Sequence, residues 1–279
     1  MGTDEGRREW ARHWRHAELP GLDLLRARYV RHTFPRHTHD GYVIAAVTRG
    51  VEEIGMPGGT VLRAGPGSVV LINPEVPHSA RAGDPEGWAY ATLYPSRGLI
   101  AEVAEEIGFR RGTPGFTAAL VSDPYAARVI TEVHRAAEAG NALAADTLLR
   151  AAAARMLERH AGPLAARAVR GAGAADAAAA RAVLEERMAD PPTLEQLAAG
   201  LGTSPFALLR AFRERYGMPP HTWLTDARVR RARRLLDGGA APAAAAVAVG
   251  FTDQPHLNRH FTRIVGVPPG AYRRERPPA

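Results

Sequence analysis

The chain of 279 residues contains no cysteine. Disulfides, thiolate metal sites and cysteine nucleophiles are therefore excluded. Lysine is absent too, so all 36 basic residues are arginine. In a chain so rich in alanine and glycine this bias fits genomic base composition as well as function, and it carries no functional weight. No apolar run approaches the roughly 20 residues that span a bilayer. The N-terminal stretch M-G-T-D-E-G-R-R-E-W-A-R-H-W-R-H has arginines but lacks the apolar segment of a secretory signal. A cytoplasmic protein with no membrane partner is the expectation. Neither a Ser-His-Asp arrangement nor a phosphate-cradling glycine loop is apparent, which weakens hydrolase and nucleotide-binding readings.

What the chain does hold is unevenly distributed. Residues 176–279 carry 15 Arg against 10 Asp and Glu, whereas residues 1–175 carry 21 against 19. The shorter C-terminal part thus bears most of the formal charge of +7, as a phosphate-binding module would.

The same part contains a repeat. Around Ser204 the sequence runs S-P-F-A-L-L-R-A-F-R-E-R-Y-G-M-P-P-H-T-W, and around Asp253 it runs D-Q-P-H-L-N-R-H-F-T-R-I-V-G-V-P-P-G-A-Y. At one fixed offset Leu208 falls on Leu257, Arg210 on Arg259, Phe212 on Phe261 and Gly217 on Gly266. The double prolines and Trp223/Tyr272 follow in step, the signature of a duplicated supersecondary unit. Ser204 and Asp253 are N-cap residues, and each leucine–phenylalanine pair at i and i+4 marks a buried face. Gly217 and Gly266 close the helices in a left-handed conformation and the prolines forbid continuation. Short helices ending in glycine precede each copy, at 193–202 and 242–251. The whole is a helix-turn-helix pattern present twice.

Upstream, 1–20 reads as a loosely attached arm. From Leu22 to about residue 94, short β-branched or aromatic runs alternate with turn signals, which predicts a small antiparallel barrel or double sheet. Helices are expected near 97–108, 123–139 and 142–160. The apolar stripe of the last (Leu143, Leu148, Leu149, Ala152, Met156, Leu157) suits core packing or self-association as a homodimer. Residues 161–175 read as a linker, followed by a helix at 177–189 and a connecting helix at 222–236.

These segments carry a family resemblance. A-R-V-R-R-A-R-R-L-L, V-G-F-T-D-Q-P-H-L-N-R-H-F and G-V-P-P-G-A-Y-R occur in the order and spacing of the AraC/XylS-type DNA-binding domain, and residues 177–275 resemble it. The resemblance implies a transcriptional regulator whose two recognition helices, within units at about 193–215 and 242–264, enter successive major-groove segments of double-stranded DNA. Outward positions on the first are Phe206, Ala207, Leu209, Arg210 and Arg213; on the second they are Gln254, His256, Asn258, Arg259 and Arg263. Arginine pairs bidentately with guanine, and glutamine or asparagine with adenine, so the second helix is richer in base-reading chemistry. Arg228, Arg230, Arg231, Arg233 and Arg234 cannot all face DNA from one helix, and most read as a solvated face. Ala245 stands where the family usually has a larger aliphatic residue, which predicts a looser core in the second unit.

The N-terminal half resembles the cupin-like effector-binding domain found in many regulators of this family, on H-T-H at 37–39 and G-S-V-V-L-I-N-P-E-V-P-H at 67–78. In metal-binding cupins an H-x-H pair, a nearby Glu and a later His hold the ion. Here Val43 occupies the Glu position, and Asn73 and Glu75 replace the usual Pro and Gly. Three readings of His37, His39 and His78 stay open: polar lining of an effector pocket, structural histidines, or ligands of a divalent metal. No cofactor is expected beyond that last reading. Arg28, Tyr42, Trp88 and Tyr90 are further effector-pocket candidates, with ordinary core packing as the alternative for each.

The chain is therefore read as an α+β protein of two domains. Residues 1–160 form a cupin-like effector-binding domain with trailing helices, and 176–279 form an all-α DNA-binding domain. The expected function is effector-responsive, sequence-specific transcriptional regulation, with RNA polymerase a further partner for an activator. The rival is a metal-dependent cupin enzyme or turnover-based sensor fused to a DNA-binding domain.

Overall fold

The computed structural model describes residues 9–110, 112–164 and 173–276. These form two compact units, the first drawn mainly from residues 1–165 together with 274–276 and the second from 166–273 together with residues 35–37.

The first unit runs β1 (Trp10–Trp14), β2 (Leu22–Tyr29), β3 (Phe34–His37), β4 (Val43–Gly50), β5 (Glu52–Gly55), β6 (Val61–Ala64), β7 (Ser68–Ile72), β8 (His78–Ala82) and β9 (Trp88–Pro95). Then follow α1 (Arg97–Glu106), β10 (Pro114–Phe116), β11 (Leu120–Ser122), α2 (Pro124–Glu138), α3 (Ala142–His160) and β12 (Ala161–Pro163). The strands make a six-stranded sheet in the order β1-β2-β9-β4-β7-β11 and a four-stranded sheet in the order β3-β8-β5-β6, while β10 pairs with β12. Of the expected antiparallel barrel or double sheet, the described residues form the double sheet and no closed barrel. At Gly50 the chain leaves one sheet and enters β5 of the other. Its φ of +68° and the carbonyl of Gly87, which a Cβ would approach to 1.9 Å, restrict that corner to glycine.

Period-two alternation sorts the six-stranded sheet into two faces. Leu25, Ala27, Tyr29, Trp88 and Tyr90 pack with Ala80 of the four-stranded sheet, and Val43, Ala45, Val47 and Val70 pack with Ile54 and Ala64. The intervening positions, among them Leu22, Leu24, Ile44, Leu71 and Leu93, meet α1, α2 and α3. Ser96, Asp123 and Asn141 each accept a first-turn N–H and so fix where these helices begin. Leu149, Ala152, Met156 and Leu157 of α3 are spent in this core, leaving Leu143 80% exposed. The α3 stripe is therefore mainly intrachain packing. Two loop expectations are also corrected: the arm contains β1, with Trp14 and His13 buried, and the linker begins as β12. Residues 165–172 of that linker lie outside the described residues.

The second unit runs α4 (Ala174–Glu186), α5 (Leu194–Gly200), α6 (Pro205–Tyr216), α7 (Pro220–Asp237), α8 (Pro242–Ala248), α9 (Gln254–Val265) and α10 (Pro269–Arg274). The two helix-turn-helix units are α5–α6 and α8–α9. The connecting helix α7 is longer than expected, 18 residues or about 27 Å, because Pro220 fits its first turn. Phe212 packs on Tyr216 and Trp223 at 4.6 and 6.0 Å, and Phe261 meets Tyr272 edge-on at 5.3 Å. Ala245 and Ala246 of the second unit are fully buried. The Gly250 turn sits so close that a Cβ there would lie 2.6 Å from the Ala189 backbone.

Candidate nucleic-acid interface and effector site

The helices α6 and α9 start and stop by the same means. Ser204 accepts the Ala207 N–H at 3.2 Å, and Asp253 accepts the His256 N–H at 2.6 Å. Gly217 and Gly266 end the helices at φ of 72° and 85°, their N–H groups donating to Arg213 and Thr262 carbonyls. Leu208 and Phe212, like Leu257 and Phe261, face inward. What remains outward is Phe206, Arg210 and Arg213 on α6, and Gln254, Arg259 and Arg263 on α9. Phe206 is 73% exposed, unusual for an aromatic side chain in a unit with an aromatic core. Among the described residues, no hydrogen bond or ion pair engages the side chains of these four arginines.

Three sequence candidates are held back from this surface. Ala207 is half-buried. The His256 ring lies against Phe251 and His260, both at 5.1 Å, with Nδ1 3.4 Å from Thr252 Oγ1. Asn258 is half-buried and its Oδ1 is shielded without a partner among the described residues. Burial, with His256, Arg259, Arg263 and Arg228 nearby, lowers the pKa of His260, so this helix presents positive charge beside a neutral imidazole.

The arginines of α7 are not a solvated face. Arg228 donates twice to the Met188 carbonyl, at 2.7 and 3.0 Å. Arg230 bonds buried Asp226 at 3.2 Å, and Arg233 lies over the Tyr272 ring and bonds its hydroxyl. Arg231 and Arg234 are exposed. Three of the five arginines of α7 therefore tie the second unit together.

His37 ends β3, His39 follows it and His78 starts β8, and one ligand atom of each lies within 4.8 Å of the others. His37 Nδ1 lies 2.8 Å from the Pro35 carbonyl, and His78 Nδ1 lies 3.0 Å from the Val76 carbonyl. A carbonyl only accepts, so Nδ1 is a protonated nitrogen in both rings. His39 stacks on His78 at 5.2 Å and meets Tyr94 at 5.1 Å.

The other four effector candidates divide between the faces of the six-stranded sheet. Trp88 and Tyr90 lie between the two sheets, their rings 6.1 Å apart. Trp88 Nε1 is buried with no partner among the described residues. Arg28 and Tyr42 belong to the opposite face by strand alternation. Arg28 bonds the Glu86 carbonyl at 3.0 Å, and the Tyr42 hydroxyl donates to the Pro114 carbonyl at 2.6 Å within the sheet–helix core. Neither joins Trp88 and Tyr90.

Three groups escaped the sequence reading. Glu52 shares the inward parity of Ile54 on β5, and burial pushes its carboxyl up to about 7. Its ionisation is disfavoured in the fold, so this group subtracts stability as pH rises from the ordinary carboxylate range through 7. Tyr94 joins His39 to His13, which stacks on it at 5.6 Å. His134, fully buried on α2, donates from Nε2 to the Thr92 carbonyl at 3.1 Å, and burial drops its pKa to about 3. Alternation could have found Glu52; nothing local marks His13 or His134.

The chain has two matching family models: the AraC-like ligand binding domain over residues 19–153 and a helix-turn-helix domain over residues 197–275. It is thus a DNA-binding regulator with a separate ligand-binding domain. The chain belongs to the AraC family of transcriptional regulators. The uncharacterized HTH-type transcriptional regulator YbfI of Bacillus subtilis is 26% identical over 237 residues, covering 85% of this chain and 86% of its own. ToxT from Vibrio cholerae is similar in fold. Its complex with (E)-4-(8-methylnaphthalen-1-yl)but-3-enoic acid has a TM-score of 0.53 at 10% identity, over 96% of this chain and 98% of that one. Its complex with an unsaturated fatty acid has a TM-score of 0.51 at 11% identity, over 95% and 94%. Among the described residues, no helix is long and apolar enough to cross a membrane.

Proposed function

We propose that this regulator reads operator DNA through α6 and α9, with Arg259 and Gln254 contacting bases on one segment and Arg210, Phe206 and Arg213 contacting the other. The observation that carries this reading is the pair of capped helices after a tight turn, each holding outward arginines that no group in the second unit engages. Arginine so presented matches the O6 and N7 acceptors of guanine, and Phe206 suits a thymine methyl. Arg263 lies one turn beyond Arg259 and suits a phosphate.

The effector site in this reading lies in the first unit, at His39 and His78 and the adjoining space between the sheets. The unpartnered N–H of Trp88 supports it, because buried polar groups are normally satisfied. ToxT, of the same fold, carries a bound fatty acid, which supports a small-molecule occupant. Regulation then requires the effector to bind one arrangement of the protein better than the other. The protein acts by binding rather than turnover, in the cytoplasm, as a homodimer, with RNA polymerase as a further partner. Leu143, left outside the chain's own core, supports an association surface on α3.

The test is selection of binding sites from a random DNA library by the full chain, followed by Arg259→Ala measured against each selected position. Binding should weaken by about 1–3 kcal/mol and preference should relax at one position. Unchanged preference at every position would overturn the base-reading role of Arg259.

A further inference from the structure

We propose that DNA binding by α9 is coupled to protonation of the His260 ring, so that operator affinity rises as pH falls. The proposal rests on the reading of α9 as a DNA-contacting helix.

His256 and His260 stand at i and i+4 on α9, so their rings share one side of the helix. The ring centroids lie 5.1 Å apart. His260 also stacks on Phe251, at 5.6 Å between centroids and 21° between planes. Both imidazoles are half-buried. Arg263, three residues beyond His260, is its other neighbour along the helix, and it belongs to the outward face with Arg259.

The charges around this ring are of one sign. On α9 they come from Arg259 and Arg263, and from α7 Arg228 lies over the Phe251 ring at 5.8 Å. The helix α8, P-A-A-A-A-V-A, brings no titratable side chain, and α10 meets α9 through Tyr272 against Phe261. The nearby carboxylate of Asp253 is engaged as the cap, accepting the His256 N–H. Burial comes first, then His256, Arg259, Arg263 and Arg228, in lowering the His260 pKa from its ordinary value. In the free chain the ring is therefore neutral at pH 7.

DNA changes that balance. Phosphates drawn to Arg259 and Arg263 place negative charge where the free chain has positive charge alone. Opposite charge nearby favours the protonated imidazole, so the complex holds the His260 proton more tightly than the free chain does. By reciprocity the proton then strengthens the complex. Affinity gains nothing well above the pKa of the complex, climbs as pH falls through it, and levels off below the lowered pKa of the free chain.

The experiment titrates the full chain onto a labelled operator duplex, taken from the selection above, between pH 5.5 and 8.0 at constant ionic strength. Wild type, His260→Gln and Arg259→Ala are compared. Wild-type affinity should rise about three- to tenfold from pH 7.5 to 5.5, within the limit of about tenfold per pH unit for one proton. His260→Gln, which carries an amide that does not titrate, should flatten this profile, with circular dichroism confirming the fold. Should that variant fail to fold, NMR titration of the His260 imidazole decides, and its pKa should be higher in the DNA complex than in the free chain. A wild-type profile that is flat or of opposite slope overturns the proposal, and so does a profile unchanged in His260→Gln. If Arg259→Ala still weakens binding in those cases, the reading of α9 stands and the proton coupling alone falls. If Arg259→Ala binds like wild type at every pH, both fall together.

Discussion

The two helix-turn-helix units share a buried frame and differ in what they show to solvent. In α6 and α9 the inward leucine and phenylalanine, the capping Ser or Asp, the left-handed glycine and the following prolines correspond one to one. Outward, Glu214 of α6 corresponds to Arg263 of α9 and Pro205 to Gln254, while the half-buried Leu209 corresponds to the half-buried Asn258. Duplication preserved what a helix needs in order to pack and end, and released what it presents. The α6 surface is therefore a mixture of arginine, glutamate and an exposed phenylalanine, while α9 is more uniformly basic and polar.

The comparison can be broken most severely at its frame. Phe212→Ala and Phe261→Ala should each destabilise the second unit by about 3–5 kcal/mol, because both side chains are fully buried. Denaturant unfolding of the full chain checks this, and a clearly smaller loss for Phe261 would mean that the alanine-rich α8 lets its site collapse. The caps come next. Ser204→Ala and Asp253→Ala should each cost about 1 kcal/mol, read by the same unfolding measurement. The Asp253 bond is the shorter of the two, at 2.6 against 3.2 Å, so its removal should be the more costly.

The smallest effect sharpens the outward difference. Glu214→Arg gives α6 the charge that α9 carries at Arg263. If the new side chain meets a phosphate, the slope of log affinity against log salt should steepen by about 0.9. Titrations of labelled DNA at several salt concentrations measure it. An unchanged slope would mean that position 214 of α6 faces away from the backbone.

Much of this architecture was legible because it rests on local chemistry. A serine or aspartate before an amphipathic run, a glycine after it and a proline beyond act within a few residues. For that reason the repeat located α6 and α9 to within a residue or two. Short strands around turn signals were legible for the same reason, as with β2, β7 and β9. The misplaced details were tertiary. The arginines of α7 read as a solvated stripe because periodicity cannot see the Met188 carbonyl, Asp226 or Tyr272. Arg28 and Tyr42 were grouped with Trp88 and Tyr90 on residue type alone, although strand parity puts them on the other face of the sheet. The strand β1 was missed because its polar residues, Arg12 and His13, find partners only after folding.

The amino-acid sequence by itself determined two helix-turn-helix units, their capped helices, an α+β division of the chain and the residue types of its candidate sites. Each of these follows from interactions within one element. Tertiary structure alone decided that the N-terminal strands form two sheets and that Gly50 is the corner between them. It also brought His37 and His39 to His78, some forty residues away, and placed Glu52 between the sheets. Such outcomes depend on which strands pair and in what register, and register is set by burial of a whole face rather than by any residue's own preference.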